Sequence, residues 1–193
     1  MNLAERREMP TVYEPAEDSR LLAESAIARI GEGAETVLEV GVGSGYVATR
    51  VARETAATVI GSDLTSEACR RARSEGVTVV RGDLTHPFDA DSFDVVLFNP
   101  PYLPTPPENE WDDPLEHALS GGPDGRRVIR PFLTDIGRVL RADGQGYLLV
   151  SSLTDPDAVA ELAEGSGLAT REVTTEAFPF ERLIVLEITH KNT

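Results

Sequence analysis

The segment Asn99-Pro100-Pro101-Tyr102 carries the groups needed to hold a planar amino group. The Asn99 side-chain oxygen and the Pro100 carbonyl oxygen are hydrogen-bond acceptors, and the two prolines have no N–H that would compete for them. Two acceptors can bind both hydrogens of an NH₂ group, while the Tyr102 ring offers it a flat face. A nitrogen whose lone pair is delocalised must be held and polarised in this way to react. The alternative is a proline-rich turn that ends a strand and has no chemical role.

A glycine-rich segment, Glu39 to Gly45, lies between a predicted strand and a predicted helix. Glycines let the backbone approach a ligand closely, and the helix N-terminus presents free N–H groups. We therefore predict cofactor contacts from Gly41, Gly43 and Gly45. A dinucleotide fingerprint needs G-x-G-x-x-G, whereas here Tyr46 follows the third glycine directly. The spacing favours a nucleotide cofactor without a pyrophosphate.

Three acidic residues, Glu39, Asp63 and Asp83, lie at the ends of three predicted strands. Because the carboxyl ends of parallel strands meet at one edge of a sheet, we expect these acids to line one ligand site. The Asp63 carboxylate could accept hydrogen bonds from both hydroxyls of a ribose, and Asp83 could accept one from the amino group of an adenine. An acid at position 63 suits NAD and S-adenosylmethionine equally, so it does not discriminate between them.

The elements that position these residues follow a strand–helix alternation. Apolar, β-rich runs predict strands at 36–40, 58–63, 77–83, 93–98, 146–151 and 182–188, with a weaker strand near 170–175. Helical spacing predicts a helix from about Glu17 to Gly31, and a later helix in which Pro131 should cause a kink or delay the start. We expect an α/β fold with a mostly parallel sheet and a C-terminal antiparallel hairpin. A long proline-rich loop at 99–123 is where we expect substrate to bind.

Length and composition exclude several classes of protein. The 193 residues contain no apolar run near the ~18 needed to cross a bilayer, and the charged first ten residues carry no secretory signal. Cys69 cannot form an internal disulfide, and histidines at 86, 117 and 190 make no metal-ligand pattern. We predict a cytoplasmic protein with one domain over residues 1–193, an N-terminal segment and helix at 1–31, no metal and no membrane partner.

The charge is strongly acidic, since 33 Asp and Glu against 18 Lys and Arg give a net charge of −15. The acids are spread along the chain, and Lys191 is the one basic residue that is not arginine. Molar salt would screen the resulting self-repulsion, so this composition predicts a halophilic source. An acidic surface made for a basic partner is the alternative. Such a protein suits a phosphate backbone poorly, so nucleic acid is not the expected partner, although strong salt weakens that argument.

The order of these motifs resembles the class I S-adenosylmethionine-dependent methyltransferases, and within them the HemK group of protein glutamine N5-methyltransferases. Two further segments, Val12–Ser19 (VYEPAEDS) and Leu119–Arg126 (LSGGPDGR), resemble the short archaeal and eukaryotic branch of that group. That branch lacks the N-terminal helical domain of the bacterial enzymes. The resemblance covers nearly the whole chain and implies a Rossmann-like, seven-stranded sheet and S-adenosylmethionine as the cofactor.

The resemblance also implies roles for individual residues. Cofactor contacts would come from Ser19, Glu39, Gly41, Asp63, Asp83, Leu84 and Asn99, the catalytic residues would be Asn99, Pro100 and Tyr102, and Pro101 would join them in binding substrate. The substrate would be the glutamine of the Gly-Gly-Gln loop of class 1 peptide release factors. A small zinc-binding activator subunit would form a heterodimer with the chain. We expect it at the apolar stretch Val77–Val80, which lies at an edge of the predicted sheet.

Three other functions fit parts of the sequence. An adenine or guanine N-methyltransferase acting on DNA or RNA would hold its base in the same way, but the chain has no basic appendage for a duplex whose base must be flipped out. An NAD-dependent oxidoreductase is disfavoured by the glycine spacing and by the lack of an obvious acid for hydride transfer. A non-catalytic binding module is disfavoured because the cofactor acids and Asn99 are all present.

Overall fold

The structure is a computed structural model that describes residues 15–30, 36–106, 108 and 119–191, so residues 12–14 of the segment 12–19 lie outside it. The helices are α1 (Glu17–Ile27), α2 (Tyr46–Glu54), α3 (Ser66–Ser74), α4 (Ile129–Val139) and α5 (Pro156–Gly165). The strands are β1 (Thr36–Val40), β2 (Thr58–Asp63), β3 (Thr78–Arg81), β4 (Phe93–Phe98), β5 (Leu140–Ser151), β6 (Leu168–Ala177) and β7 (Arg182–His190). None of the described helices is both long enough and apolar enough to cross a bilayer.

The seven strands form one sheet in the order β3-β2-β1-β4-β5-β7-β6. Neighbouring strands from β3 through β5 are parallel, whereas β7 is antiparallel to both β5 and β6. The strand order reverses its direction between β1 and β4. In open α/β sheets such a switch point leaves a crevice at the carboxyl ends of the strands, where ligands bind. The predicted mostly parallel sheet with a terminal antiparallel hairpin is confirmed.

Two core layers cover the faces of the sheet, because a buried strand presents successive side chains to opposite faces. In β4, Val95 and Leu97 cluster with residues of α1, α2 and α3, while Val96 and Phe98 cluster with residues of α4 and α5. All four side chains are at most 4% exposed. Burial on both faces requires the apolar run at 95–98, and the resulting rigid strand carries Asn99 at its end.

The third strand and the first helix are shorter than the sequence predicts. β3 ends at Arg81, so Asp83 lies in the following loop and does not end the strand. The strand goes no further because Arg81 pairs with Asp63, the last residue of β2, and the chain then turns at Leu84, whose φ is +47°. α1 ends at Ile27, before the predicted end near Gly31, a residue that lies outside the described part of the chain.

β3 lies at an edge of the described sheet, as expected, but its valines do not form an apolar surface. Val77 and Val79 are only 9% and 8% exposed and belong to the core cluster that contains α2 and α3. Within the strand, Thr78 and Arg81 are exposed and Val80 is partly buried. The expectation of an exposed apolar stretch over 77–80 is wrong, because Val77 and Val79 pack in the core with α2 and α3.

The start of α4 shows whether Pro131 kinks the helix or delays its beginning. The helix begins at Ile129, so Pro131 is its third residue. N–H groups of a first turn have no partner inside the helix, so a proline there costs no hydrogen bond. Pro131 therefore delays the start of the helix. β5 begins at Leu140, earlier than predicted, and its regular pairing starts at Gln145 after a bulge opposite Phe93.

Candidate active site

A cleft of about 350 Å³ opens at the carboxyl edge of the sheet, where β1, β2 and β4 end. Most residues that were predicted to bind cofactor or substrate line this cleft. They are Ser19, Glu39, Gly41, Gly43, Asp63, Asp83, Leu84, Asn99, Pro100, Pro101 and Tyr102. Gly45 is the exception, because it does not line the cleft. The topology thus brings together five segments that are separated along the chain.

The glycine loop turns through left-handed backbone conformations. Gly41, Gly43 and Gly45 have φ values of +64°, +49° and +84°, a region that side chains disfavour. A Cβ on Gly41 would lie 3.3 Å from the Phe98 ring, and a Cβ on Gly45 would lie 3.1 Å from the Cα of Ala72 in α3. Gly41 therefore keeps the loop close to the end of β4. Gly45 lets α2 begin directly against α3, which is a packing role.

Glu39 is a buried carboxyl group beside the glycine loop. It is 4% exposed, and its Oε2 accepts a hydrogen bond of 2.7 Å from the N–H of Ala48 in α2. The pKa of Glu39 is raised to about 8, mainly by burial, while the bond from Ala48 lowers it and the charge of Asp63 raises it. A positive charge placed in the cleft would favour the carboxylate form of this group.

Asp63 holds the two loops that flank the end of β2. Its Oδ2 accepts from the Gly43 N–H at 3.1 Å, and its Oδ1 accepts from the N–H and the hydroxyl of Thr65 at 2.8 and 3.0 Å. Thr65 is in turn the N-cap of α3 and accepts from the Ala68 N–H at 3.2 Å. The Asp63 carboxylate is therefore already oriented, so binding further donors would cost little ordering entropy.

The loop after β3 is anchored in a strained conformation. Leu84, with its positive φ, accepts a hydrogen bond at its carbonyl oxygen from Ser62 Oγ at 3.3 Å. The next residue, Thr85, is fully buried and donates its hydroxyl to Asp135 of α4 at 2.7 Å. These contacts keep Leu84 and the exposed Asp83 in the wall of the cleft.

Asn99 follows directly after β4 and has an unusual hydrogen-bonding state. Its Nδ2 donates to Ser19 Oγ at 3.5 Å, whereas its Oδ1 is buried and has no hydrogen-bond partner among the described residues. Leaving a buried acceptor unpaired costs about 1–3 kcal/mol. Beside it Pro100 is buried, and Pro101 and Tyr102 are half-buried. An acceptor in this state within a cleft is a place where a donor of a ligand fits.

The loop that follows Tyr102 is tied to a second glycine-rich segment. The Leu103 N–H donates to the Leu119 carbonyl at 3.0 Å, and the Gly121 N–H donates to the Leu103 carbonyl at 2.9 Å. A Cβ on Gly125 would overlap the Tyr102 carbonyl oxygen, so this segment packs directly against the substrate segment. The middle of the predicted substrate loop lies outside the described residues.

Asp18 is a cleft residue that the sequence analysis does not single out. It is 4% exposed, and its Oδ1 accepts from the N–H and the hydroxyl of Ser19 at 2.6 and 3.3 Å. Aspartate is rarely buried to this extent. The sequence signal for it was its place beside Ser19 in the VYEPAEDS segment.

Tyr46, Leu64, Leu103, Leu119 and Val128 also line the cleft. Within the described ranges, no three His, Cys, Asp or Glu residues are grouped so as to hold a metal ion.

Comparison with known proteins assigns the class. A family model described as a methyltransferase domain matches residues 37–119. The structure of the E. cuniculi Mtq2-Trm112 complex, described as responsible for methylation of the eRF1 translation termination factor, contains a chain that is 32% identical. It superposes with a TM-score of 0.76 over 94% of this chain and 100% of that chain. The fold and the cleft are those of a class I S-adenosylmethionine-dependent methyltransferase.

Two relatives narrow the class. A Methanocaldococcus jannaschii protein named as a putative protein N5-glutamine methyltransferase is 33% identical over 183 residues, which are 92% of this chain and 91% of that protein. The release factor glutamine methyltransferase of Gloeobacter violaceus is 33% identical over 193 residues, covering 91% of this chain and 67% of that protein. The chain belongs to the HemK family of protein N5-glutamine methyltransferases.

The cleft fits the cofactor of this family. Gly41 leaves space beside the backbone that a Cβ would fill, and Asp63 presents an oriented carboxylate at the end of β2. Asn99 Oδ1 has no hydrogen-bond donor among the described residues. The predicted enzyme class and the predicted cofactor, S-adenosylmethionine, are confirmed by the family. Neither the oxidoreductase nor the non-catalytic alternative agrees with it. The roles of the individual residues stay predictions.

Proposed function

We propose that this enzyme methylates the side-chain nitrogen of the glutamine in the Gly-Gly-Gln loop of a class 1 peptide release factor. The observation that carries the proposal is Asn99 Oδ1, buried in the cleft without a hydrogen-bond partner among the described residues. A glutamine side chain ends in an NH₂ group, which can supply the missing donor. The names of the Gloeobacter relative and of the E. cuniculi complex support a release factor as the substrate.

The first task of the site is to hold the amide in a reactive position. An amide nitrogen is a poor nucleophile because its lone pair is delocalised into the carbonyl group. Asn99 Oδ1 and the Pro100 carbonyl oxygen would accept its two hydrogens, with the Tyr102 ring against its flat face. Fixing the nitrogen in this way makes the reaction effectively unimolecular. S-adenosylmethionine supplies an electrophilic methyl group when bound. The residues that would hold it are Ser19, Glu39, Gly41, Gly43, Asp63, Asp83 and Leu84.

The second task is to stabilise charge. As the new N–C bond forms, the nitrogen lone pair is withdrawn from the amide and the nitrogen becomes positive. The same two acceptor oxygens stabilise this charge, because hydrogen bonds from a charged donor are stronger than those from a neutral one. The extra proton can leave after the transfer, so no strong base is required at the nitrogen.

The direct test is methyl transfer from labelled S-adenosylmethionine, in strong salt, to a release factor from the same cell and to its Gln→Ala variant. Bulk DNA and RNA are assayed in parallel, each with and without the activator subunit. We expect label on the parent release factor and none on the variant. Label on nucleic acid alone would refute the protein substrate and favour an exocyclic base amine.

Asn99→Ala tests the proposed grip on the amide. We expect turnover to fall by about a hundredfold or more, the scale of one oriented hydrogen bond in the transition state, since the variant lacks an acceptor for the developing charge. Cofactor affinity, measured by titration calorimetry, should stay nearly unchanged, and the melting temperature serves as the folding control. A variant as active as the parent would show that the Asn-Pro-Pro-Tyr segment does not hold the substrate.

We also infer that the enzyme works as a heterodimer with a small, zinc-binding activator subunit on the edge of β3. The Mtq2-Trm112 complex supports a partner of this kind. No described strand pairs with the outer side of β3, and a pocket of about 230 Å³ beside it is lined by Thr49, Val77 and Thr78. Thr49 Oγ1 is buried there and has no partner among the described residues. A partner strand would have to replace the Arg73 guanidinium, which donates to the Val79 carbonyl at 2.7 Å.

Thr78→Arg tests this docking site, because Thr78 is exposed at the start of the free edge strand. The variant should bind the activator at least about tenfold more weakly, since a long charged side chain would be buried at the contact. Thr175→Arg is the matched control, as Thr175 is exposed on the opposite edge strand, β6. Copurification and calorimetry measure binding, and metal analysis of the complex checks for zinc. Equal binding by both variants would refute the assignment.

The halophilic source and the cytoplasmic location stay predictions.

A further inference from the structure

Asp18, Ser19 and Asn99 form a chain of hydrogen bonds along the cleft. The Ser19 hydroxyl donates to Asp18 Oδ1 at 3.3 Å, and Asn99 Nδ2 donates to Ser19 Oγ at 3.5 Å. The Ser19 N–H also donates to Asp18 Oδ1, at 2.6 Å, which anchors that oxygen. Asp18 and Ser19 are 4% and 7% exposed, so water competes little for these bonds. These hydrogen bonds connect the first turn of α1 to the end of β4.

The Asn99 carboxamide lies at the end of this series of hydrogen bonds. It can adopt two orientations that differ by exchange of its oxygen and its NH₂ group. Its oxygen accepts and its NH₂ group donates, yet the two ends are nearly equal in size. The hydrogen-bond partners therefore decide which end faces the cleft. The NH₂ group faces Ser19, and Oδ1 is left without a partner among the described residues. Only this orientation offers an acceptor to an incoming amino group.

A serine hydroxyl alone would not select this orientation, because it can donate or accept. It could equally donate to the Asn99 oxygen, with the carboxamide turned by half a turn. A carboxylate only accepts. Because Asp18 takes the hydrogen of the Ser19 hydroxyl, Ser19 has only lone pairs to offer and must receive the NH₂ end of Asn99.

We infer that Asp18 is a positioning residue for methyl transfer, which acts through Ser19 to keep Asn99 Oδ1 facing the substrate amino group. The inference rests on the proposed function, in which that oxygen accepts from the glutamine NH₂. In the reversed carboxamide two NH₂ groups would face each other. The positive charge that develops on the substrate nitrogen would then meet a donor where it needs an acceptor, and the reaction would slow.

Three variants test the inference: Asp18→Ala, Ser19→Ala and the double variant. Asp18→Ala removes the oxygen that accepts from the Ser19 hydroxyl, which frees the Ser19 hydrogen for the Asn99 oxygen. We expect kcat for the release factor to fall at least about tenfold while the cofactor Kd changes by less than about threefold. The double variant should lose no more activity than Ser19→Ala, because residue 18 acts only through the hydroxyl.

Two controls separate positioning from general damage. Ser19→Thr restores the hydroxyl and should lose less kcat than Ser19→Ala. Glu17→Gln removes a charge from the same turn of α1 at an exposed position and should also leave kcat unchanged. If Asp18→Ala does not fold, Asp18→Leu gives the same readout, because leucine is similar in size to aspartate and offers no acceptor to the Ser19 hydroxyl.

Several results would overturn the inference. These are an Asp18→Ala enzyme with the parent kcat, losses that add in the double variant, or a loss of cofactor affinity as large as the loss in kcat. The last result would mean that Asp18 contacts the cofactor directly. If the parent labels no release factor, the proposed function has failed by itself. The variants are then compared on the nucleic acid that the parent does label, because the carboxamide orientation matters for any NH₂ acceptor.

Discussion

Replacing Glu39 by glutamine should change how the stability of the cofactor-free protein depends on pH. The substitution keeps the size of the side chain and an acceptor for the Ala48 N–H, which now donates to Glu39 Oε2 at 2.7 Å. It removes the ionisation of a carboxyl group that is 4% exposed and whose pKa is raised from 4.5 to about 8, mainly by burial. The variant therefore isolates the cost of ionising this one group.

The sign and the size of the effect follow from linkage. Between pH 4.5 and about 8 the folded protein holds a proton on Glu39 that the unfolded chain has released, so the free energy of unfolding falls as pH rises. A shift of roughly 3.5 pKa units corresponds to about 5 kcal/mol in full. Relative to Glu39→Gln, the parent should thus lose up to about 1.4 kcal/mol per pH unit across this range and level off above it.

Urea unfolding of both proteins at about five pH values from 5 to 9 measures this difference. Glu161→Gln is the control, because Glu161 is exposed on α5. We expect the control to follow the parent at every pH, while the Glu39→Gln protein gains on the parent as pH rises. Parallel curves for the parent and Glu39→Gln would refute the argument that burial keeps Glu39 protonated near neutral pH.

Two further substitutions test the glycine loop and the end of β2. Gly45→Ala should lower the free energy of unfolding by about 1–3 kcal/mol, since φ is +84° and the new Cβ would crowd Ala72. Gly76→Ala is the control, because Gly76 has a similar φ of +90° but open space around the new Cβ. Denaturant titration measures both variants. An equal loss of unfolding free energy in the two would contradict the crowding against Ala72. Asp63→Ala should weaken cofactor binding at least about tenfold by calorimetry, before turnover at saturating cofactor is affected, because the carboxylate that orders the Gly43 loop is lost. An unchanged cofactor Kd would contradict that role.

Local patterns predicted most of the fold and much of the site. The glycine spacing at 41–45, the acids near the strand ends and the Asn-Pro-Pro-Tyr segment are each visible within a few residues, because they depend on backbone geometry and side-chain type. Strand type followed in the same way from apolar runs such as 95–98, which a doubly buried strand requires. The strand and helix boundaries did not follow from local patterns, since β3 ends where its partner strand β2 ends and α4 starts just before Pro131.

Other properties of the site depend on contacts between segments that are distant along the chain. Asp18 and Ser19 meet Asn99 only because α1 packs beside the end of β4, and no local pattern encodes that contact. The pKa of Glu39 likewise depends on how deeply the core buries it. Which residues can do the chemistry follows from the amino-acid sequence, because side-chain type and local spacing are properties of the chain. Which of them touch, which are dry and which way Asn99 faces depend on long-range packing, and only the folded chain sets these.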